Sequence, residues 1–340
     1  MKPNYTKTKI ACYIGYVVQA IVNNFMPILF IVFQDEYGFS YERLGRIIFV
    51  NFAVQIVSDL STPKIVKYLG YKKSAVLCHG LAFSGLALLA VLPKIMTNTY
   101  AAILICVCLY AFGSGIIEVC LSPMVELLPS NNKAANMAFL HSFYCWGQAA
   151  TVIATTFLLK LFGFKLWEFV PLVLSVIPFL NMFNFETVKV IEPEKDKTEN
   201  AKEIFKTCEF LCFVIFMLCA GSSEIAMAQW ASMFVQKGLG VSKVIGDLLG
   251  PCVFAIFMGT GRIIYGYFAG RYSIRKALIF NNALCVVCYA VVGLCNLPFI
   301  SLIACGLCGF SVSLSWPGTY SLAANRFKNG GTLMYGIFAL

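Results

Sequence analysis

Glu118 lies in Gly113-Ser-Gly-Ile-Ile-Glu118, followed by Pro123 and Glu126, inside a run that is otherwise apolar. A carboxyl buried among apolar residues is costly unless it faces protein or water, and a carboxyl so placed can act as a protonatable switch. Gly115 three residues before it and Ser122 four after it give a helix a small polar face around the acid. The alternative is an acid locked to an arginine or to the amides of a broken helix. Glu224, in Ser222-Ser-Glu-Ile-Ala-Met-Ala-Gln-Trp230, is the matching acid of the second half, either an acceptor for a solute or one member of a structural pair across the two halves. Asn51, Gln55 and Asp59 recur at spacing four, which stacks three polar groups on one helical face. Asn51 and Gln55 can meet a solute, whereas Asp59, near the expected end of its helix, is expected to pair with basic groups as a conformational latch.

Other polar groups in apolar runs are candidates for the same reason. Asn23 and Asn24 precede Pro27, so the helix is expected to kink where two amides are available, either for a solute or for backbone groups freed by the proline. His141 opens the cluster His-Ser-Phe-Tyr-Cys-Trp-Gly-Gln148 and can relay protons or donate to a neighbouring helix. Gln229 and Trp230 leave a helix at different angles from Glu224, so all three meet one ligand only if that helix is broken. Trp230 then reads as packing, as an interfacial anchor or as a ring that stacks on a sugar. Trp316-Pro317 interrupts a later helix and sets an aromatic face beside exposed backbone. Arg262, among the glycines of Gly259-Thr-Gly-Arg-Ile-Ile-Tyr-Gly266, reads as a latch, as does Arg271 in the connector that follows.

The elements that carry these residues are apolar runs of membrane-spanning length. The chain is 59% hydrophobic and 12% charged over 340 residues, which excludes an ordinary pair of soluble domains. Ten helices are expected near residues 10–33, 44–60, 74–92, 100–124, 136–161, 167–185, 210–235, 245–268, 277–297 and 299–323. Residues 332–340 read as the beginning of an eleventh. The expected fold is an all-α polytopic membrane protein. Its expected division is a six-helix bundle over 1–185, a charged cytoplasmic linker over 186–209 and a second, incomplete bundle over 210–340. Gly70-Tyr-Lys-Lys73 set over Ser273-Ile-Arg-Lys276 suggests that the two halves repeat, and in that register Asp59 falls over Arg262.

Loop lysines and arginines place the N-terminus in the cytoplasm: Lys64, Lys67, Lys72 and Lys73 and the linker lysines then lie inside, and fewer lie outside. The +10 net charge is spread over connectors and forms no basic stripe with interleaved aromatics, so nucleic acid is not an expected partner. The N-terminus, without a small-residue cleavage site, reads as a retained first span rather than a signal peptide. The 15 cysteines lie mostly in apolar runs and read as small core residues, with no disulfide, metal or cofactor expected.

The Gly113-x-Gly-x-x-Glu118 segment with Pro123, together with Asn23-Asn24, Gly147, Gly261-Arg262 and Trp316-Pro317 with Ser321-Leu322, resembles the fucose:proton symporter family of the major facilitator superfamily. The resemblance implies twelve helices, alternating access by rocking of two halves, and proton symport of a small polar solute, often a sugar. It makes Glu118 the proton-linked acid. Where that family has a second acid shortly after the paired asparagines, this sequence has Met26 and Pro27, which is a departure from its two-carboxylate scheme. A twelve-helix family also makes this chain read as C-terminally truncated.

The expected activity is therefore secondary transport in the cell membrane, with the solute, protons and the bilayer as partners and a monomer as the unit. Efflux of amphipathic compounds is the alternative within transport. A membrane enzyme is disfavoured because His79 and His141 fall in different helices without a carboxylate beside them in sequence, and a primary pump because no phosphate-binding glycine loop is present. A receptor would need a larger extramembrane surface than the 186–209 linker offers.

Overall fold

A computed structural model describes residues 5–130, 133–192, 206–268, 273–295, 297–327 and 331–339. Among these residues the regular structure is all helical. Helices α1 (Thr6–Asn24), α2 (Phe30–Tyr37), α3 (Tyr41–Leu89), α4 (Leu92–Ile95), α5 (Thr99–Glu126), α6 (Lys133–Phe162) and α7 (Phe169–Thr187) precede the charged stretch. After it come α8 (Cys208–Leu239), α9 (Lys243–Asp247), α10 (Val253–Phe268), α11 (Ile274–Leu294), α12 (Pro298–Val312), α13 (Ser315–Arg326) and α14 (Gly331–Ala339). The all-α polytopic fold expected from the apolar runs is the one observed.

Among the described residues, nine helical segments are long and apolar enough to cross a membrane. One of them, Tyr41–Ile95, has 55 residues. At 1.5 Å per residue it would reach about 80 Å, far more than a hydrocarbon core of about 30 Å. It is two spans: Gly70, at φ 76° and ψ 168°, breaks the helix in a conformation that L side chains resist. The Glu192 carboxylate receives the chain as it resumes, accepting from the Tyr71 amide at 2.8 Å and the Lys72 amide at 3.5 Å. An acid at that position satisfies orphan amides and complements the positive end of the helix.

Contacts divide the chain into two compact units, one of Met1–Met124, Ala154–Glu192 and Ala339–Leu340, the other of Val125–Ile153 and Pro193–Phe338. In the first, α3 and α1 both pack against α7. Buried Asn181 on α7 joins all three: its amide donates to the Ala11 carbonyl at 3.0 Å and to His79 Nε2 at 2.9 Å. The other ring nitrogen of His79 donates to the Ala75 carbonyl at 2.7 Å, which fixes the neutral tautomer by its partners. His79 is therefore a structural residue. In the second unit α12 packs against α8, α10 and α11. Its core is rich in sulfur, with Cys145, Met227, Met258, Cys285, Cys288, Cys305 and Cys308 in one cluster. On the outer face of α11, Val286, Val287 and Leu294 stay exposed, as lipid-facing residues do.

Asn181→Leu removes two buried bonds of the first unit, each worth on the order of 1 kcal/mol between membrane helices. The expected result is a lower melting temperature of the purified protein in detergent. His79→Leu added to it should lower the temperature by less than the two single changes together, because the histidine has already lost that partner.

Candidate functional site

Three helices of the first unit place polar residues in successive layers. Asn23 on α1 accepts at Oδ1 from Gln55 at 2.8 Å and, more weakly, from Ser114 on α5 at 3.4 Å and Asn51 at 3.5 Å. One turn along, Gln19 Nε2 donates to Glu118 Oε2 at 2.6 Å. A further turn along, the Tyr16 and Ser122 hydroxyls bond to each other. The spacing explains the alignment: 16, 19 and 23 share one face of α1, as do 51, 55 and 59 on α3 and 114, 118 and 122 on α5. α3 and α5 come this close because Gly115 lacks a side chain. A Cβ there would lie 2.6 Å from Ser58 Cβ and 2.7 Å from Asp59 Oδ1.

Asp59 lies deeper within its helix than its position in the apolar run suggested. It is 2% exposed, makes no ion pair and leaves Oδ1 without a hydrogen-bond partner among the described residues. The apolar run suggested a helix end at Leu60, but the helix continues to the Gly70 break, so Asp59 lies about 15 Å inside it. Asn24, in contrast to Asn23, turns back to its own helix and donates to the Ala20 carbonyl at 2.9 Å. The expected kink is present: α1 stops at Asn24, and a 3-10 turn over Met26–Leu29 contains Pro27.

The second unit is organised by Arg262, which is 2% exposed on α10. Its Nε donates to the Ser313 carbonyl at 2.9 Å, and its terminal nitrogens to the His141 carbonyl at 2.8 Å and to Glu224 at 3.2 Å. Pro317 explains the first bond. It lies in the first turn of α13 without an N–H to give the carbonyl four residues back, which is that of Ser313, and the guanidinium supplies the donor instead. The helix break therefore falls at Ser313–Leu314, just before Trp316-Pro317. Trp316 packs edge-on against Tyr320 with centroids 5.9 Å apart, and Tyr320 lies 6.0 Å from the His141 ring. Trp316 also covers Gly221, one turn from Glu224.

Glu224, His141, Trp316 and Arg262 thus meet, whereas Gln229 and Trp230 do not join them. α8 is unbroken over Cys208–Leu239, so the three side chains of its motif leave at different angles. Gln229 is half-buried, and Trp230 is 53% exposed on the outer face. Arg271 lies outside the described residues. Residues that the sequence reading passed over include Gln19 and Ser114 in the first network. Gln148 on α6 is another: it is 1% exposed, with neither amide atom paired among the described residues. Gln19 carried a usable signal, four residues before Asn23 on the same face.

The family model of the Major Facilitator Superfamily matches residues 12–340. The chain belongs to that superfamily. Among solved structures, it is similar to FucP, a transporter of the superfamily in the outward conformation, with a TM-score of 0.80 and 16% identity over 98% of this chain and 88% of that one. A variant of FucP, described as the E. coli fucose:proton symporter, gives 0.77 and 17% over 99% and 88%. XylE, a proton:xylose symporter bound to 6-bromo-6-deoxy-D-glucose, gives 0.83 and 12% over 98% and 85%. At these identities the likeness is one of fold. No curated protein sequence matches.

Removing one member of a buried ion pair strands the other, at a cost of about 3 kcal/mol or more, while replacing both by apolar residues is often tolerated. Glu224→Leu alone is therefore expected to destabilise the protein strongly. Glu224→Leu with Arg262→Met should recover much of the loss, as read by thermal unfolding of the four proteins of the cycle.

Proposed function

We propose that the protein is a secondary active transporter that carries a sugar-like or other small polar solute across the cell membrane together with protons, by alternating access. The observation that carries this reading is Glu118, a carboxyl within a membrane-spanning helix whose Oε2 accepts from Gln19 in a file of polar residues on α1, α3 and α5. Family membership supports transport, and the proton symporters of similar fold support sugar and proton as the pair of partners. Glu118 is assigned proton coupling. Asn23, Asn51 and Gln55 are assigned to the solute, and so are His141, Trp316 and Glu224 in the second unit, where Gln148 adds a buried amide able to meet a hydroxyl. Arg262 is assigned the role of latch through its bonds to α6, α8 and the break before α13. The N-terminus is assigned to the cytoplasm and the monomer to the working unit.

Glu118→Gln keeps the hydrogen-bonding shape of the side chain and removes its ability to carry a proton. In proteoliposomes, accumulation of a radiolabelled monosaccharide driven by a pH gradient should disappear in this variant, while exchange of the same sugar across the membrane persists. Undiminished pH-driven accumulation would remove Glu118 from coupling. Failure of every sugar in a monosaccharide screen, with reduced retention of amphipathic dyes, would favour efflux instead.

A further inference from the structure

We infer that the first unit holds a solute carrying a protonated amine beside its hydroxyls, with the amine at Asp59 and Gln19 and a hydroxyl at Asn51. The inference rests on the reading of the protein as a transporter of small polar solutes. It narrows the solute to a hydroxylated amine, of which an amino sugar is the simplest kind. Three buried side chains on two packed helices carry it. Gln19 on α1 is 3% exposed, and Asn51 and Asp59 on α3 are 7% and 2% exposed. Gln19 Oε1, Asn51 Oδ1 and Asp59 Oδ1 have no hydrogen-bond partner among the described residues.

Neighbours fix which atom of each amide is free. Gln19 gives Nε2 to the Glu118 carboxylate at 2.6 Å, so the atom left over is the carbonyl oxygen. Asn51 turns Nδ2 toward Asn23 Oδ1, which also accepts from Gln55 at 2.8 Å, so its own oxygen is again the free atom. An amide oxygen only accepts, and a buried one left unmade is costly, so a ligand that satisfies these atoms brings N–H or O–H groups. The Tyr110 hydroxyl, one turn from Ser114 on α5 and also unpartnered, gives as well as accepts and sets no such demand.

Charge decides between a neutral polyol and an amine. Asp59 makes no ion pair among the described residues, and α5 carries no lysine or arginine. Those of α1 and α3 lie toward helix ends or beside the Gly70 break, and Lys64, the nearest to Asp59 in sequence, is exposed. A buried carboxylate needs a cation in its site. In the second unit Arg262 serves Glu224 in that way. In the first the chain gives Asp59 no such partner, and an ammonium brings both the positive charge and three N–H donors. The free oxygens are spaced for such a solute. Asp59 Oδ1 lies against Gly115, one turn from the Glu118 that Gln19 holds. Asn51 stands about 12 Å along α3 from Asp59, a span that an aminohexose covers with a hydrogen bond at each end.

The test uses the full chain with D-glucosamine, D-glucose and N-acetyl-D-glucosamine, at a mildly acidic pH that keeps the glucosamine amine charged. The three share a ring and differ in the group on a single carbon. Binding is read by calorimetry on the purified protein, and uptake in proteoliposomes under a pH gradient. Glucosamine is expected to bind at least about tenfold more tightly than the other two, as a charge-assisted hydrogen bond requires. Asp59→Asn should reduce that preference to about twofold or less, and Asp59→Glu, which keeps the charge, should retain it. Glucose bound and accumulated as well as glucosamine would overturn the inference and leave the proposed function standing. An undiminished preference in Asp59→Asn would overturn the site. Binding of none of the three would also overturn the inference, and the monosaccharide screen then decides the proposed function on its own. The comparison of solutes on the unaltered protein holds whether or not the variants fold.

Discussion

Inside hydrocarbon a polar group has no water to fall back on, so each must find its partner on a neighbouring helix. The two units meet this constraint in different ways. In the second, the Arg262 guanidinium finds acceptors on Ser313, His141 and Glu224, and opposite charges lie in contact. In the first, amides, hydroxyls and carboxyls line three helices, and among the described residues one oxygen each of Gln19, Asn51 and Asp59 has no hydrogen-bond partner.

Close approach of helices makes both centres possible, and single glycines permit it. A Cβ at Gly261 would lie 2.5 Å from Ser313 Oγ, as one at Gly115 would crowd Ser58 and Asp59. Even alanine at either position would have to push the helices apart, because the obstacles are themselves held in hydrogen-bonded or packed segments. The proline in α13 acts in the same direction. By withholding an N–H it releases the Ser313 carbonyl, which a regular helix would have consumed, and Arg262 uses it.

The number of spans and the residues expected to be buried were legible in the sequence because hydrophobic run length reports directly on the bilayer. Glu118, Asn23, Gln55 and Arg262 could be recognised as candidates since charged or amide groups in such runs are costly. Their partners could not. Arg262 and Glu224 are far apart in the chain, and only folding brings them together. The depth of Asp59 was hidden because hydropathy falls near Leu60, whereas the backbone stays helical to a break set by the conformation of one glycine, Gly70. Trp230 shows the opposite limit. Its chemistry suits a sugar, but helical angle alone turns it away from Glu224, and no composition signal reports that angle.

The register in which Gly70-Tyr-Lys-Lys73 overlies Ser273-Ile-Arg-Lys276 sets Asp59 over Arg262. That register then sets an acid over a base: Arg262 pairs with Glu224 at 3.2 Å, and Asp59 lies against Gly115, one turn from Glu118. An arginine neutralises its acid at any pH a cell meets, because the guanidinium stays charged. A second carboxyl offers no such neutralisation, so the two positions of this register meet the burial of an acid differently.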